Sequence, residues 1–336
     1  MSAISPNSRA CWLAEGTYGV MVHYLISPEG QTPSEKTRNL NRIIDGFDLD
    51  SFIDQFLSTR ADWLIFTIGQ NTGYYNSPNA YLDGRLPGHT PRRDLVRDIA
   101  CRLADLKKKL IVYIPGDMVS KDPAIRTVFG WDDSDHREFL NRYQQFVRDY
   151  SLQYGTLVHG WWFDGCYEWI HKGRWDWTRW LEAARAGNPD SIVAFNEGAF
   201  CLGLIKPLTP LEDYHAGEVH LLEDGKIRID FLDEKKNVTT INGKRRTPGR
   251  EPEFYLPDSQ YIDGVQWHAL VPIDSTFNPA VPEEFCRYTD EELFSFVSAC
   301  KRVRGAVTLN VPIDTGGHIP VKTLDQLRRL GKVISG

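Results

Sequence analysis

The chain has 336 residues, 25% of them charged, with 39 Lys and Arg against 45 Asp and Glu and a formal net charge of −6. That length supports one large or two ordinary domains around a sizeable apolar core. The acidic balance excludes nucleic acid as a main partner, because neutralising phosphates takes a basic excess, and no apolar run approaches the ~18 residues that would read as a membrane span. The first residues show no basic stretch followed by an apolar one, so a cytoplasmic protein is expected rather than a secreted one. The cysteines at 11, 101, 166, 201, 286 and 300 form no C-x-x-C and no zinc spacing. They read as reduced thiols, with Cys101 and Cys300 as small core residues on apolar helix faces. The unusual feature is the rings: 10 Trp, 14 Tyr and 16 Phe suit a large aromatic core or a cleft in which sugars stack.

In chain order, short apolar runs of strand type alternate with longer amphipathic patterns. Residues 18–24 (YGVMVHY) read as a buried strand, and 49–60 carry apolar positions 49, 52, 53, 56 and 57 on one helix face. A second strand is expected over 63–68. A helix over 92–109 follows Pro91 and ends in a basic turn that suits the helix dipole. The third strand, 110–114, is stopped by Pro115-Gly116. Residues 135–154 are helical and 157–163 form a fourth strand. A helix over 175–186 ends at Gly187-Asn188-Pro189, before a fifth strand at 191–195. Weaker patterns place the sixth, seventh and eighth strands at 211–219, 264–270 and 305–311, with helices 290–302 and 323–334 around the last.

Continuously apolar strands alternating with helices, without a break in composition, predict a single-domain α/β protein over 1–336: a (β/α)8 TIM barrel. An open doubly wound sheet is the alternative, but no G-x-G-x-x-G follows the first strand. The irregular stretch 221–257, with Lys244-Arg245-Arg246 and a turn sequence at Asn242-Gly243, is expected as an insertion after strand six, by default a solvated flap.

In such barrels the chemistry gathers at the C-terminal ends of the strands. There the sequence places His23, then Gln70, Asn71, Tyr74 and Tyr75 in a polar loop, Asp117, Asp164, Asn196-Glu197, His215 and Glu218, Trp267-His268, and Asn310. A ring of hydrogen-bonding and aromatic groups suggests a pocket for a polyhydroxylated ligand. Asp164 directly follows Trp161-Trp162-Phe163, and a carboxylate against an aromatic wall needs either hydrogen bonds or a task. Glycosidic hydrolysis uses two carboxyl groups, and Glu218 and Glu197 are the partner candidates, ahead of Asp117 and Glu168. For His23, Trp162, Trp267, His215 and His268 a plain core role is the competing reading, and His159 is read as structural. No spacing suggests a metal or an organic cofactor, so neither is expected.

These segments resemble the α-L-fucosidases of glycoside hydrolase family 29. The likeness runs through 18–24, 47–50, 63–67, 93–96, 154–155, Trp162-Phe163-Asp164-Gly165, and 305–311 with Asp314, Gly317 and Ile319-Pro320. It implies that Asp164 is a catalytic nucleophile and that His23 binds a sugar hydroxyl. The chain departs from the family at Gln70 and Asn71, where the family carries two histidines. It also has Asn196-Glu197 where Asn and Arg are usual, and it lacks an appended β-sandwich. The resemblance does not fix the acid/base; Glu218 is compatible with the family's arrangement and is preferred to Glu197. The expected function is thus a retaining exo-glycosidase acting on an α-L-fucoside or related glycoside, its partner a carbohydrate. The alternatives are a barrel enzyme on a non-fucose sugar such as a hexuronide, by hydrolysis or elimination, and a non-catalytic carbohydrate-binding relic.

Overall fold

The computed structural model describes residues 9–119, 121–133, 136–171, 175–199, 206–229, 252–274 and 286–335, apart from the side chains of Glu168 and Trp169. Its strands are β1 (Gly19–Val22), β2 (Trp63–Thr67), β3 (Lys109–Pro115), β4 (Gly160–Asp164), β5 (Ile192–Phe195), β6 (Leu222–Glu223), β7 (Lys226–Ile229), β8 (Glu253–Tyr255), β9 (Tyr261–Ile262), β10 (Val265–Gln266), β11 (His268–Pro272) and β12 (Ala306–Val311). Seven of them make one parallel sheet in the order β11-β12-β1-β2-β3-β4-β5, which curls as in a TIM-like barrel.

Both faces of this sheet are buried, and the two-residue period of a strand sorts its side chains between them. Met21, Ile65, Ile111, Tyr113, Trp162 and Leu270 share one cluster on the inner face. Val20, Phe66, Val112, Trp161, Phe163 and Val271 belong to the larger cluster that includes the surrounding helices. Trp161 therefore stacks on Phe163 in the outer layer, while Trp162 points inward.

Helices Leu49–Ser58, Leu95–Asp105, Arg137–Tyr154, Trp177–Ala184, Asp290–Arg302 and Val321–Ile334 lie where amphipathic periodicity predicts them, with ends trimmed by caps such as Asp48, Asp94 and Asp176. Cys101 is exposed, contrary to expectation, because the buried positions of its helix are 95, 96, 99, 100 and 103. The helix Pro33–Asp45 has no counterpart in the expected elements. Its signal is a capping box: Thr32 accepts from the Glu35 N–H, Glu35 reaches back to the Thr32 N–H, and Pro33 opens the first turn.

The expected sixth strand is not a strand. Residues 212–219 run as irregular backbone that bonds on one side to β5 and on the other to the β10–β11 region. Asp213 N–H donates to the Val193 carbonyl at 3.0 Å, His215 N–H to Gln266 and Val219 N–H to Leu270. Two side chains do work that a ladder would give to carbonyls. Asp213 Oδ2 accepts from the Val193 N–H at 2.9 Å, and Glu212 Oε2 from the Phe195 N–H at 3.1 Å. The expected strand 264–270 starts later, as β11, because Asp263 (φ 47°) and Gly264 (φ 82°) form the turn of a short hairpin, β9–β10. Trp267 and His268 consequently stand at the start of β11 rather than at its C-terminal end.

The excursion 221–257 contributes β6, β7 and β8, an antiparallel three-stranded sheet. Its Asn242-Gly243 turn and Lys244-Arg245-Arg246 cluster lie outside the described residues. No helix among the described residues is long and apolar enough to cross a membrane.

Candidate active site

Register decides what Asp164 meets. In the β3–β4 ladder Pro115 pairs with Asp164 and Tyr113 with Trp162, so Tyr113 is the diagonal inner-face neighbour of the carboxylate. Its ring stacks on Trp162 with centroids 5.3 Å apart, and its hydroxyl donates to Asp164 Oδ2 at 2.5 Å. Burial, followed by the charge of Asp164, pushes the Tyr113 phenol well up, so it remains a donor.

Asn196 emerges from β5 beside this pair. Its N–H donates to the Phe163 carbonyl at 2.7 Å, and its own carbonyl accepts from Cys166 at 2.9 Å, which fixes the corner. Its side-chain Oδ1 accepts from the Gly198 N–H at 3.1 Å, which orients the amide with Nδ2 toward the carboxyl groups. Nδ2 donates to Asp164 Oδ1 at 2.8 Å and to Glu218 Oε2 at 2.6 Å. Two carboxyl groups from different segments thus share one amide.

Their settings differ. Asp164 accepts from both Tyr113 and Asn196. Glu218 is carried by the irregular segment, and burial followed by the charge of Asp164 pushes its carboxyl up to about 7, with Asn196 pulling the other way. Below about 7, therefore, Glu218 carries a proton that it can give up as an acid.

Two residues beyond β3 is Asp117, whose Oδ1 accepts from the Val119 N–H at 3.0 Å. Lys121 is buried, and its ammonium has no hydrogen-bond partner among the described residues. Burial lowers it to about 8, while Asp117 and Asp164 hold it up. Gly165 is required by this packing: φ is +74°, and a Cβ would lie 2.1 Å from Asp117 Oδ2.

His23 completes the inner rim. Its Nδ1 lies 2.7 Å from Asn310 Oδ1, and its ring meets the Tyr113 ring edge-on at 5.1 Å. Because Asn Oδ1 only accepts, Nδ1 carries the proton; burial lowers the pKa of the ring, with Asn310 and Asp164 opposing. The structure thereby brings Asp164, Glu218, Asn196, Trp162 and His23 into one constellation.

Other expected site residues lie elsewhere. Glu197 is buried one residue beyond Asn196. Gln70 is half-buried and Asn71 exposed, on the loop after β2. Tyr74 stacks on His89 with centroids 4.8 Å apart, and Tyr75 is fully buried against Phe146 at 5.0 Å. Trp267 belongs to the outer layer, beside Tyr255. His215 and His268 bond to each other's backbone, and His268 Nε2 lies 2.8 Å from Thr308 Oγ1. His268 and His215 are therefore structural neighbours near the start of β11. The side chain of Glu168 lies outside the described residues. His159 Nδ1 accepts from the Leu110 backbone N–H at 3.3 Å, a structural role. Tyr113 and Lys121 are absent from the sequence expectations; the even spacing 111, 113 along β3 is the signal that would have turned Tyr113 inward. Among the described residues no group of three or more His, Cys, Asp or Glu is arranged to hold a metal ion.

The fold and this constellation define a TIM-like α/β protein with one carboxyl group at the C-terminal end of β4 and a second on the irregular segment beside the sheet. Solved structures similar to it include the following three. One is MfFcnA4, an endo-fucoidan hydrolase of glycoside hydrolase family 107, at TM-score 0.66 and 15% identity, covering 98% of this chain and 54% of that one. Another is P5AFcnA, an endo-fucoidan hydrolase of the same family, at 0.62 and 12%, covering 98% and 93%. The third is α-L-fucosidase AlfC from Lactobacillus casei, at 0.62 and 13%, covering 98% of each chain. No protein-family model and no curated protein matches the chain. At these identities the likeness is one of fold. It reaches endo-fucoidan hydrolases as well as an α-L-fucosidase, so the resemblance to family 29 broadens to an architecture shared by both groups.

Proposed function

We propose that the protein is a glycoside hydrolase acting on fucosylated substrates, within a (β/α)8-type barrel whose sixth position is taken by the segment 212–219. The observation that carries this reading is the Asn196 amide shared between Asp164 and Glu218. One nitrogen bonded to both groups, at 2.8 and 2.6 Å, keeps their nearest oxygens close enough for the short carboxyl spacing of retaining enzymes, ~5–5.5 Å, which supports that class over inversion.

In this mechanism Asp164 attacks the anomeric carbon while Glu218 gives its proton to the leaving glycosidic oxygen. The glycosyl ester on Asp164 is then cleaved by a water that loses its proton to Glu218, which regenerates both groups. Tyr113 and Asn196 hold the nucleophile's oxygens in place. Trp162, behind Tyr113, walls the pocket, and His23, with Nε2 as its acceptor side, receives a sugar hydroxyl. Gln70 and Asn71 are the neutral groups of the β2 loop from which sugar specificity is set; Glu197, buried one residue beyond Asn196, is the alternative acid/base.

An exo mode on an α-L-fucoside follows from the resemblance to α-L-fucosidases. Similarity to endo-fucoidan hydrolases favours a second reading, internal cleavage of a fucose-containing chain. Both are tested by one screen, in which wild type and Asp164→Asn are assayed on aryl α-L-fucoside, other aryl glycosides and a fucan. Release of fucose supports exo action, and loss of polymer size without free fucose supports endo action. Unchanged turnover in Asp164→Asn overturns the mechanism, and unsaturated products replace it with elimination.

A further inference from the structure

Outside the candidate active site the molecule carries a groove of about 940 Å³ between the helix Pro33–Asp45 and the segment 78–92, which holds the short helix Ala80–Asp83. Arg38 and Arg42 stand one turn apart on the helix, and Arg92 faces them from the loop. Arg92 is positioned: its N–H and its Nε donate to Asn41 Oδ1 at 2.8 and 3.3 Å, while Asn41 Nδ2 is tied to the Thr37 carbonyl at 2.8 Å. Among the described residues neither Arg38 nor Arg42 has a carboxylate within ion-pairing distance. Arg92 reaches Asp45 only at 4.0 Å, with both side chains exposed. The groove's other acid, Asp83, is occupied by the Thr90 hydroxyl and the Asn79 N–H. Three arginines against two aspartates therefore line one space in a chain whose net charge is −6. Like charges one helical turn apart cost the helix a few tenths of a kcal/mol.

We propose that this groove is a second binding site, for a sugar chain bearing oxyanion substituents, either sulfate esters or carboxylates. Guanidinium forks match such planar or tetrahedral oxyanions, and the volume suits an oligosaccharide rather than a single small ion. Thr37 and Asn41 supply polar edges for hydroxyl groups. The apolar walls are Pro78, Pro87 and Pro91, with no aromatic face among the lining residues, so nucleobases find nothing to stack on. The inference rests on the proposed function only in placing the anion on a sugar.

The test is calorimetric titration of the full chain, as wild type, Arg38→Ala/Arg42→Ala and Asp164→Asn. The probes are dextran sulfate oligosaccharides, oligogalacturonate, neutral dextran and a single-stranded oligonucleotide, at low and high salt. The expected result is salt-sensitive binding of a sulfated or carboxylated oligosaccharide by wild type and by Asp164→Asn alike, weakened roughly tenfold or more in the double variant. Both arginines are exposed, and Arg38→Lys/Arg42→Lys recovers part of the affinity while checking that the fold is intact. The proposal is overturned if the double variant binds as tightly as wild type, if neutral dextran or the oligonucleotide binds equally well, or if no anionic glycan binds. Failure of glycoside turnover leaves this binding untouched, so the two readings fail separately.

Discussion

At the residue scale the account turns on the proton that Glu218 carries beside a second carboxyl group in unlike surroundings. Glu218, pushed up to about 7, is protonated below that pH and ionised above it. A general acid is useful only with its proton, so kcat/KM is expected to fall as pH rises through about 7. A pH–rate profile of wild type against Glu218→Gln checks this: the variant is slow and lacks that alkaline limb. Tyr113 acts on the nucleophile rather than on the substrate. Tyr113→Phe removes a hydrogen bond to a charged group, worth about 1.5–3 kcal/mol, and should lower kcat about tenfold to a hundredfold with little change in KM. Steady-state kinetics with a circular-dichroism check of folding decides it; an unchanged kcat contradicts the positioning role.

At the scale of elements, the segment 212–219 is both the least regular part of the inner wall and the carrier of Glu218. Its course depends on Gly217, whose φ is +58° and where a Cβ would fall 2.0 Å from the His268 carbonyl oxygen. Gly217→Ala should destabilise the protein by about 2 kcal/mol or more, read as a lower denaturation midpoint. The glycoside-cleaving rate should drop further than that loss explains, because Glu218 is the next residue. Glu212 accepts three backbone N–H groups, from Phe195, Leu208 and Thr209. Glu212→Ala strands those donors and should cost on the order of 3 kcal/mol or more by urea unfolding.

These elements also show why some of the molecule was readable from its sequence and some was not. Strands β1 to β5 and most helices follow from apolar runs and periodicity, because burial on both sheet faces leaves that mark directly. Asp164 was readable for the same reason: a lone acid after three aromatic residues is visible without coordinates. The segment at 211–219 reads as a strand because its apolar positions fit, but Glu212 and Asp213 replace ladder carbonyls with side-chain oxygens, which no hydropathy pattern reports. Trp267 and His268 were misplaced by the hairpin turn at Asp263-Gly264, which delays β11 by a few residues. The alternation along β3 could turn Tyr113 inward, but only the register with β4 sets its hydroxyl against Asp164.

At the scale of the whole molecule, a curled parallel sheet gathers inner-face groups from β1, β3, β4, β5 and β12 at one end, and an irregular wall adds the second carboxyl group. The fold alone is shared with endo-fucoidan hydrolases and with an α-L-fucosidase, so the chemistry must be read from the residues. The most direct test of the central claim is mass spectrometry of the protein after reaction with 2-deoxy-2-fluoro-α-L-fucosyl fluoride, which slows breakdown of a glycosyl ester. The account predicts a single fluorofucosyl adduct on the peptide containing Asp164, absent in Asp164→Asn. Turnover of an α-L-fucoside without any adduct, or an adduct on another carboxyl group, would contradict it.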